Sequence, residues 1–114
     1  MTPEKFLSKY KDGDVLVMDE QWIIIFAGLR EPMGILNSTT KAIVYHALMD
    51  MRDNGYIALK KRTGIGYTKD YGDGEVRLAT NRETDKFFRA LESLHAKWDA
   101  DAKELVVTRP IPRQ

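Results

Sequence analysis

The chain has 114 residues, enough for one domain, with 43% hydrophobic and 31% charged residues, the balance of a soluble globular protein and not of a disordered one. It has no cysteine, which excludes disulfides and thiolate metal sites. Its net charge of +1, slightly negative over residues 1–55 and slightly positive over 56–114, gives no overall pull toward nucleic acid or membrane. The segment "MTPEKFLSKYKDGD" lacks the apolar stretch of a signal peptide, and "WIIIFA", the longest apolar run, falls far short of the ~20 residues of a membrane helix. A cytoplasmic location is expected, with no membrane partner.

In chain order, "TPEKFLSKY" predicts a short helix capped by Thr2, with Pro3 at its first position. "VLVM" and "WIIIFAG", joined by "DEQ", predict a β-hairpin. In the second strand Trp22, Ile24 and Phe26 point one way and Ile23, Ile25 and Ala27 the other. Both faces are apolar, so this strand is expected to be central and covered on both sides, as in a small barrel with a helix packed on it. "KAIVYHALMDMRDNGYIALKK" supports two readings. As a helix, Ile43, Val44, Ala47, Leu48 and Met51 form a stripe; as a strand, Ile43, Tyr45, Ala47 and Met49 alternate against Val44, His46, Leu48 and Asp50. The turn signal "DNG" at 53–55 and the strand formers in "AIVY" favour a hairpin, with "YIALKK" opening its second strand.

"TGIGYTKDYGDGEV" carries Gly64, Gly66, Gly72 and Gly74, a density that marks bends and tight turns. It fits neither a P-loop nor a dinucleotide fingerprint nor a calcium loop, and Asp70, Asp73 and Glu75 read as solvated turn residues. "EVRLAT" is a short strand. Thr80 and Glu83 then form a capping box that starts a helix near Asn81. Phe87, Leu91, Leu94 and Trp98 are spaced as its apolar face, with Arg82, Lys86, Arg89 and Ser93 opposite. His95 falls at the expected helix end, where a left-handed residue is needed. Trp98 returns to the core, "DADAK" turns in water, "ELVVT" closes the fold as a strand, and Pro110 and Pro112 end it.

The stretch "RLATNRETDKFFRALESLHAKWDADAKEL" resembles a module of small proteins from gut-bacterial phages and mobile elements, a group without an established activity. Arg77, Ala79, Thr80, Glu83, Ala90, Leu91, Trp98, Ala100, Lys103 and Leu105 match its pattern, and "DGDVLVMDEQWIIIFAG" resembles its opening hairpin. The likeness covers most of residues 12–105 and departs at Phe87, Phe88 and His95. It implies a phage-like origin and a single α+β domain: a small, strongly bent SH3-like antiparallel β-barrel over about 12–79, followed over 80–109 by one amphipathic helix and a closing strand. It implies no mechanism.

His46 and His95 are the only histidines. Asp50 is the partner that spacing offers His46, and His95 is already explained by the helix end, so neither predicts chemistry. No catalytic constellation, metal or cofactor is indicated. The functional candidate is a basic–aromatic set. Lys60 and Arg62 are expected on one side of a strand, and Tyr67, Lys69 and Tyr71 on one side of the next, together suited to anchoring a protein or stacking on bases. A non-enzymatic accessory protein that binds a host or phage protein is the first expectation. The alternative is a nucleic-acid-binding module using Lys60, Lys61, Arg62 and Lys69, with Arg82, Lys86 and Arg89.

Overall fold

The computed structural model describes residues 1–32, 40–53, 56–72 and 74–108. In chain order these form α1 (Pro3–Lys9), β1 (Val15–Met18), β2 (Trp22–Arg30), β3 (Ala42–Asp50), β4 (Ile57–Ala58), β5 (Arg62–Tyr67), a 3-10 turn (Thr68–Asp70), β6 (Val76–Leu78), α2 (Asn81–Glu92), β7 (Ala96–Asp99) and β8 (Glu104–Val107). Asn54 and Gly55 of the expected turn, Asp73, Pro110 and Pro112 lie outside the described residues. The fold is α+β, built on an antiparallel sheet.

The sheet runs β4-β3-β2-β1-β6, and β5 also pairs with β3. β3 is therefore the spine. One edge holds β2 along its length. The other is shared, with β4 against Leu48 and Met49, and β5 against Ala42, Val44 and Tyr45. All nine residues of β3 are buried. This decides the ambiguous segment: a run apolar on both faces suits an interior strand whose neighbours satisfy its backbone groups. No closed barrel is found among the described residues. β6 forms one edge, and β4 with β5 the other.

Both faces of the sheet are covered. Leu16, Met18, Ile24, Phe26, Ile43, Tyr45 and Leu48 pack on one face under α1, through Phe6, and under Tyr71 and Val76. Val17, Ile23, Ile25, Ala47 and Met49 pack on the other under Phe87 and Leu91 of α2 and Ala96 of β7. Each fully buried Val, Leu, Ile, Phe or Met among them contributes about 1.5–3 kcal/mol. The expected two-sided β2 is thus present, with α1 capped by Thr2 as read from the sequence.

β2 and β3 are out of step at two places. Ile25 faces Ala47 and Phe26 faces Tyr45, which leaves His46 as an extra residue on β3; Gly28 then faces Val44, which leaves Ala27 as an extra residue on β2. These opposed bulges bend the sheet. Gly28 has φ +134, a conformation that L side chains rarely adopt, so glycine is required there by the backbone and not by crowding.

The C-terminal unit needs a correction. Thr80 and Glu83 do form the capping box, and the helix does start at Asn81. It ends at Glu92, however, so Phe87 and Leu91 alone form its buried face, and Leu94 is 42% exposed. His95 takes φ +63 and reverses the chain, as expected of the helix end. Trp98 is then delivered by β7, a strand not anticipated, which pairs with β8 through Trp98–Leu105 and its neighbours in a separate two-stranded sheet.

Candidate functional site

The anticipated basic–aromatic set divides. Arg62 and Tyr67 occupy the two ends of β5, and Lys60 lies in the bend before it. Lys69 belongs to the 3-10 turn and not to a second strand, so no alternation joins Tyr67, Lys69 and Tyr71 on one face. Lys60, Lys61, Arg62, Tyr67 and Lys69 are exposed. Tyr71 is not. It is 4% exposed within the core under α1, and its hydroxyl donates to the Ile65 carbonyl. Burial, reinforced by the charges of Asp19 and Asp70, pushes its phenol up to about 12. A strand followed by one helical turn rotates the next side chain inward, which alternation alone does not anticipate.

What the fold assembles instead is a cleft where β4 and β5 part along β3. It is lined by Trp22, Tyr45, Leu48, Asp50, Asp53, Tyr56, Arg62, Thr63, Gly64 and Ile65, with a volume near 450 Å³. Tyr45 and Arg62 face each other in the β3–β5 register, so their side chains leave the same side of the sheet. Tyr45 stretches over Gly64: a Cβ on Gly64 would stand 3.3 Å from the Tyr45 hydroxyl oxygen. Burial pushes the Tyr45 phenol up, and the Arg62 charge opposes that rise. Trp22 is half-buried and Tyr56 is exposed on the rim. A second groove, near 330 Å³, lies across Gly64, lined by Arg30, Glu31, Ala42, Thr63, Gly64, Gly66 and Tyr67.

The acidic wall of the cleft is structural. Asp50 is pushed up by burial, but that effect is outweighed by the N–H groups of Arg52 and Asp53, at 2.9 and 3.1 Å, and by the Gln21 amide at 3.3 Å, so its carboxyl sits below the usual range. Asp50 therefore closes the turn after β3 and does not serve His46. The His46 Nε2 lies 2.7 Å from Asp12 Oδ1 instead, a pairing across 34 residues of sequence. His46 also packs on Trp98, and the Lys103 ammonium donates to the Asp12 carbonyl at 3.0 Å. His95 is exposed. Among the described residues no group of three or more His, Cys, Asp or Glu is placed to hold a metal ion. Asp70 and Glu75 are exposed, and each accepts a turn N–H, from Tyr67 and Gly72 respectively.

The cations of the nucleic-acid reading do not form one surface. α2 covers the face opposite Tyr45, so Arg82, Lys86 and Arg89 stand on the far side of the sheet from Arg62, and Arg89 pairs with Asp85 at 3.0 Å. Arg77, Thr80 and Glu83 of the C-terminal pattern also have a structural role. Arg77 donates in bidentate fashion to Glu83 at 2.8 Å and to Glu20 at 2.7 and 2.9 Å, tying β6 to α2 and to the β1–β2 turn.

Of the cleft residues, only Arg62 was among the sequence candidates. Trp22 and Tyr45 appear in sequence as members of alternating apolar strands and Tyr56 as a strand opener; their meeting depends on which half of β3 each later strand takes. Among the described residues no helix is long and apolar enough to cross a membrane. Comparison with protein-family models, curated proteins and solved structures yields no match to this chain.

Proposed function

We propose that the protein is a non-enzymatic accessory protein of a phage or mobile element that binds a host or phage protein through the grooves flanking β5. The observation that carries this reading is the cleft. The hydroxyl of a nearly buried tyrosine, an arginine and two accessible aromatics converge on about 450 Å³ of space, the mix of apolar walls and few polar groups typical of recognition sites. Tyr56 at 49% and Tyr67 at 40% exposure flank it as anchors of the kind in which interface energy concentrates. The phage-like origin rests on the sequence resemblance, and the bent, bulged sheet is read as an opened SH3-like barrel.

The test is a display selection of binders followed by mapping. A Tyr56→Ala/Tyr67→Ala double variant should keep its melting temperature and lose about tenfold or more in affinity for the selected binders, the usual effect of removing two anchors. Binders that hold the folded double variant with unchanged affinity would remove this surface from the proposal.

A further inference from the structure

Resting on that reading, we propose that the cleft takes the carboxylate of an aspartate or glutamate side chain carried by an extended, acidic segment of the partner, with Arg62 and the Tyr45 hydroxyl as its donors.

Tyr45 is 3% exposed, yet its hydroxyl makes no hydrogen bond among the described residues. Among the described residues no side-chain nitrogen or oxygen that is fully shut off from solvent lacks a partner, so this hydroxyl reaches the open space of the cleft. A nearly buried hydroxyl with nothing to bond is a cost that a ligand can relieve. Arg62, opposite it in the register, makes no ion pair among the described residues. Its planar donor fork suits a carboxylate.

The unmet capacity in the cleft is thus for an acceptor. Asp50 is already committed to three donors. Asp50 ends β3 at the β4 end, about four ladder steps and ~13 Å from Tyr45 once the bulge at His46 is allowed for, and Asp53 follows in the turn beyond it. They repel a carboxylate at that end and favour it beside Arg62. Trp22 and Tyr56 supply an apolar wall for the residue next to the acid.

The surroundings extend the same preference. Arg30, Lys60 and Lys69 make no ion pair among the described residues; Arg30 lines the second groove, and Lys60 and Lys69 stand just before and just after β5. Thr63 and Gly64 line both grooves, and the Tyr45 hydroxyl lies over Gly64, so one extended segment can pass that hydroxyl from the cleft to Arg30 and Tyr67. A row of cations matches a run of acidic residues better than a single terminal carboxylate. A nucleic acid would draw on a continuous run of cations along its backbone, but Arg82, Lys86 and Arg89 of α2 face the other way, which leaves the cation set divided between two faces.

The probes are short acetylated, amidated peptides with glutamates flanking a phenylalanine, matched peptides with glutamine or lysine in place of glutamate, and a single-stranded oligonucleotide. Amide and arginine side-chain NMR signals are followed on the whole chain. The acidic peptide should shift the Arg62 side chain and the Gly64 and Gly66 amides, and bind more weakly as salt rises. Arg62→Gln should weaken it about tenfold, as loss of a charged hydrogen bond does. Tyr45→Phe should weaken it about threefold while leaving the fold intact. Equal binding of the glutamine peptide, or indifference to Arg62→Gln in a folded variant, overturns the inference. Binding of the lysine peptide in the cleft also overturns it, yet leaves the protein-binding reading standing. Displacement of the acidic peptide by the oligonucleotide from the same residues overturns both. If no probe shifts β5, the acidic assignment fails, and the display selection alone decides the broader reading.

Discussion

The rings of His46 and Trp98 meet with centroids 4.7 Å apart and planes at 47°, while Asp12 holds the imidazole from its Nε2 side at 2.7 Å. One aromatic contact thereby joins the bulge of β3 to the β7–β8 hairpin. Trp98→Ala should cost about 3 kcal/mol, at the lower end for large aromatic deletions because Trp98 is only half-buried. Thermal unfolding should show a fall of about 4–8 °C for each kcal/mol lost. An unchanged melting temperature would mean that this stack does not hold the hairpin down.

Acid should reveal the Arg77 network. Glu83 is lowered from its ordinary 4.5 to about 2, first by the hydrogen bonds from Arg77 and then by the Thr80 N–H, against the opposing effect of burial. A carboxylate depressed on folding adds stability above its unfolded pKa, and that stability is lost as pH falls through the folded value. Stability should therefore decline between about 4.5 and 2. Glu83→Gln should flatten that part of a denaturant-against-pH series and lower stability at neutral pH. A parallel, undiminished pH slope in the variant would show that other groups govern acid unfolding.

His95 holds φ +63 at the end of α2. Glycine adopts that conformation without the penalty a Cβ brings, so His95→Gly should be neutral or stabilising by up to about 1 kcal/mol. The side chain is exposed, so little packing is lost. Chemical denaturation measures this directly, and a clear loss of stability would assign the imidazole a role that its exposure does not suggest.

Tyr67 and Tyr71 should behave in opposite ways. Tyr71→Ala removes a core ring and should cost about 3–5 kcal/mol. Tyr67→Ala, at an exposed position, should stay within about 0.5 kcal/mol. In a spectrophotometric titration Tyr71→Phe should remove the phenol that ionises near 12. Two variants with equal melting temperatures would contradict the placement of Tyr71.

Local chemistry was legible where neighbours in sequence are neighbours in space. The Thr2 cap, the Thr80–Glu83 box, the "DEQ" hairpin and the left-handed His95 each depend on residues within one turn of chain. The end of α2 was overrun because Phe87, Leu91, Leu94 and Trp98 keep helical spacing, while the stop at His95 resets the geometry between them. Tyr71 was misplaced because a strand period was carried through a 3-10 turn. The cleft was not legible. Tyr45 meets Arg62 only because β5 takes the first half of β3 and leaves the second half to β4, a choice made by long-range pairing. Asp12 and His46 likewise meet across the fold, where spacing offers no guide.

The opposed bulges set a rule for insertions and deletions. His46 and Ala27 are each one residue in excess on adjacent strands, and each shifts the phase by which side chains alternate between the two cores. Deleting Ala27 alone would leave Phe26, Gly28 and Leu29 opposite Tyr45, Val44 and Ile43 in unbroken step, with Leu29 still on the α1 side and the bulge at His46 untouched. Deleting Ala27 and His46 together would restore unbroken alternation in both strands, at the expense of the contacts to Asp12 and Trp98. Each strand thus carries one residue that its ladder can lose: removal of Ala27 or of His46 straightens one bulge and keeps the flanking pairs, whereas a residue lost elsewhere in either strand turns its neighbours to the opposite face.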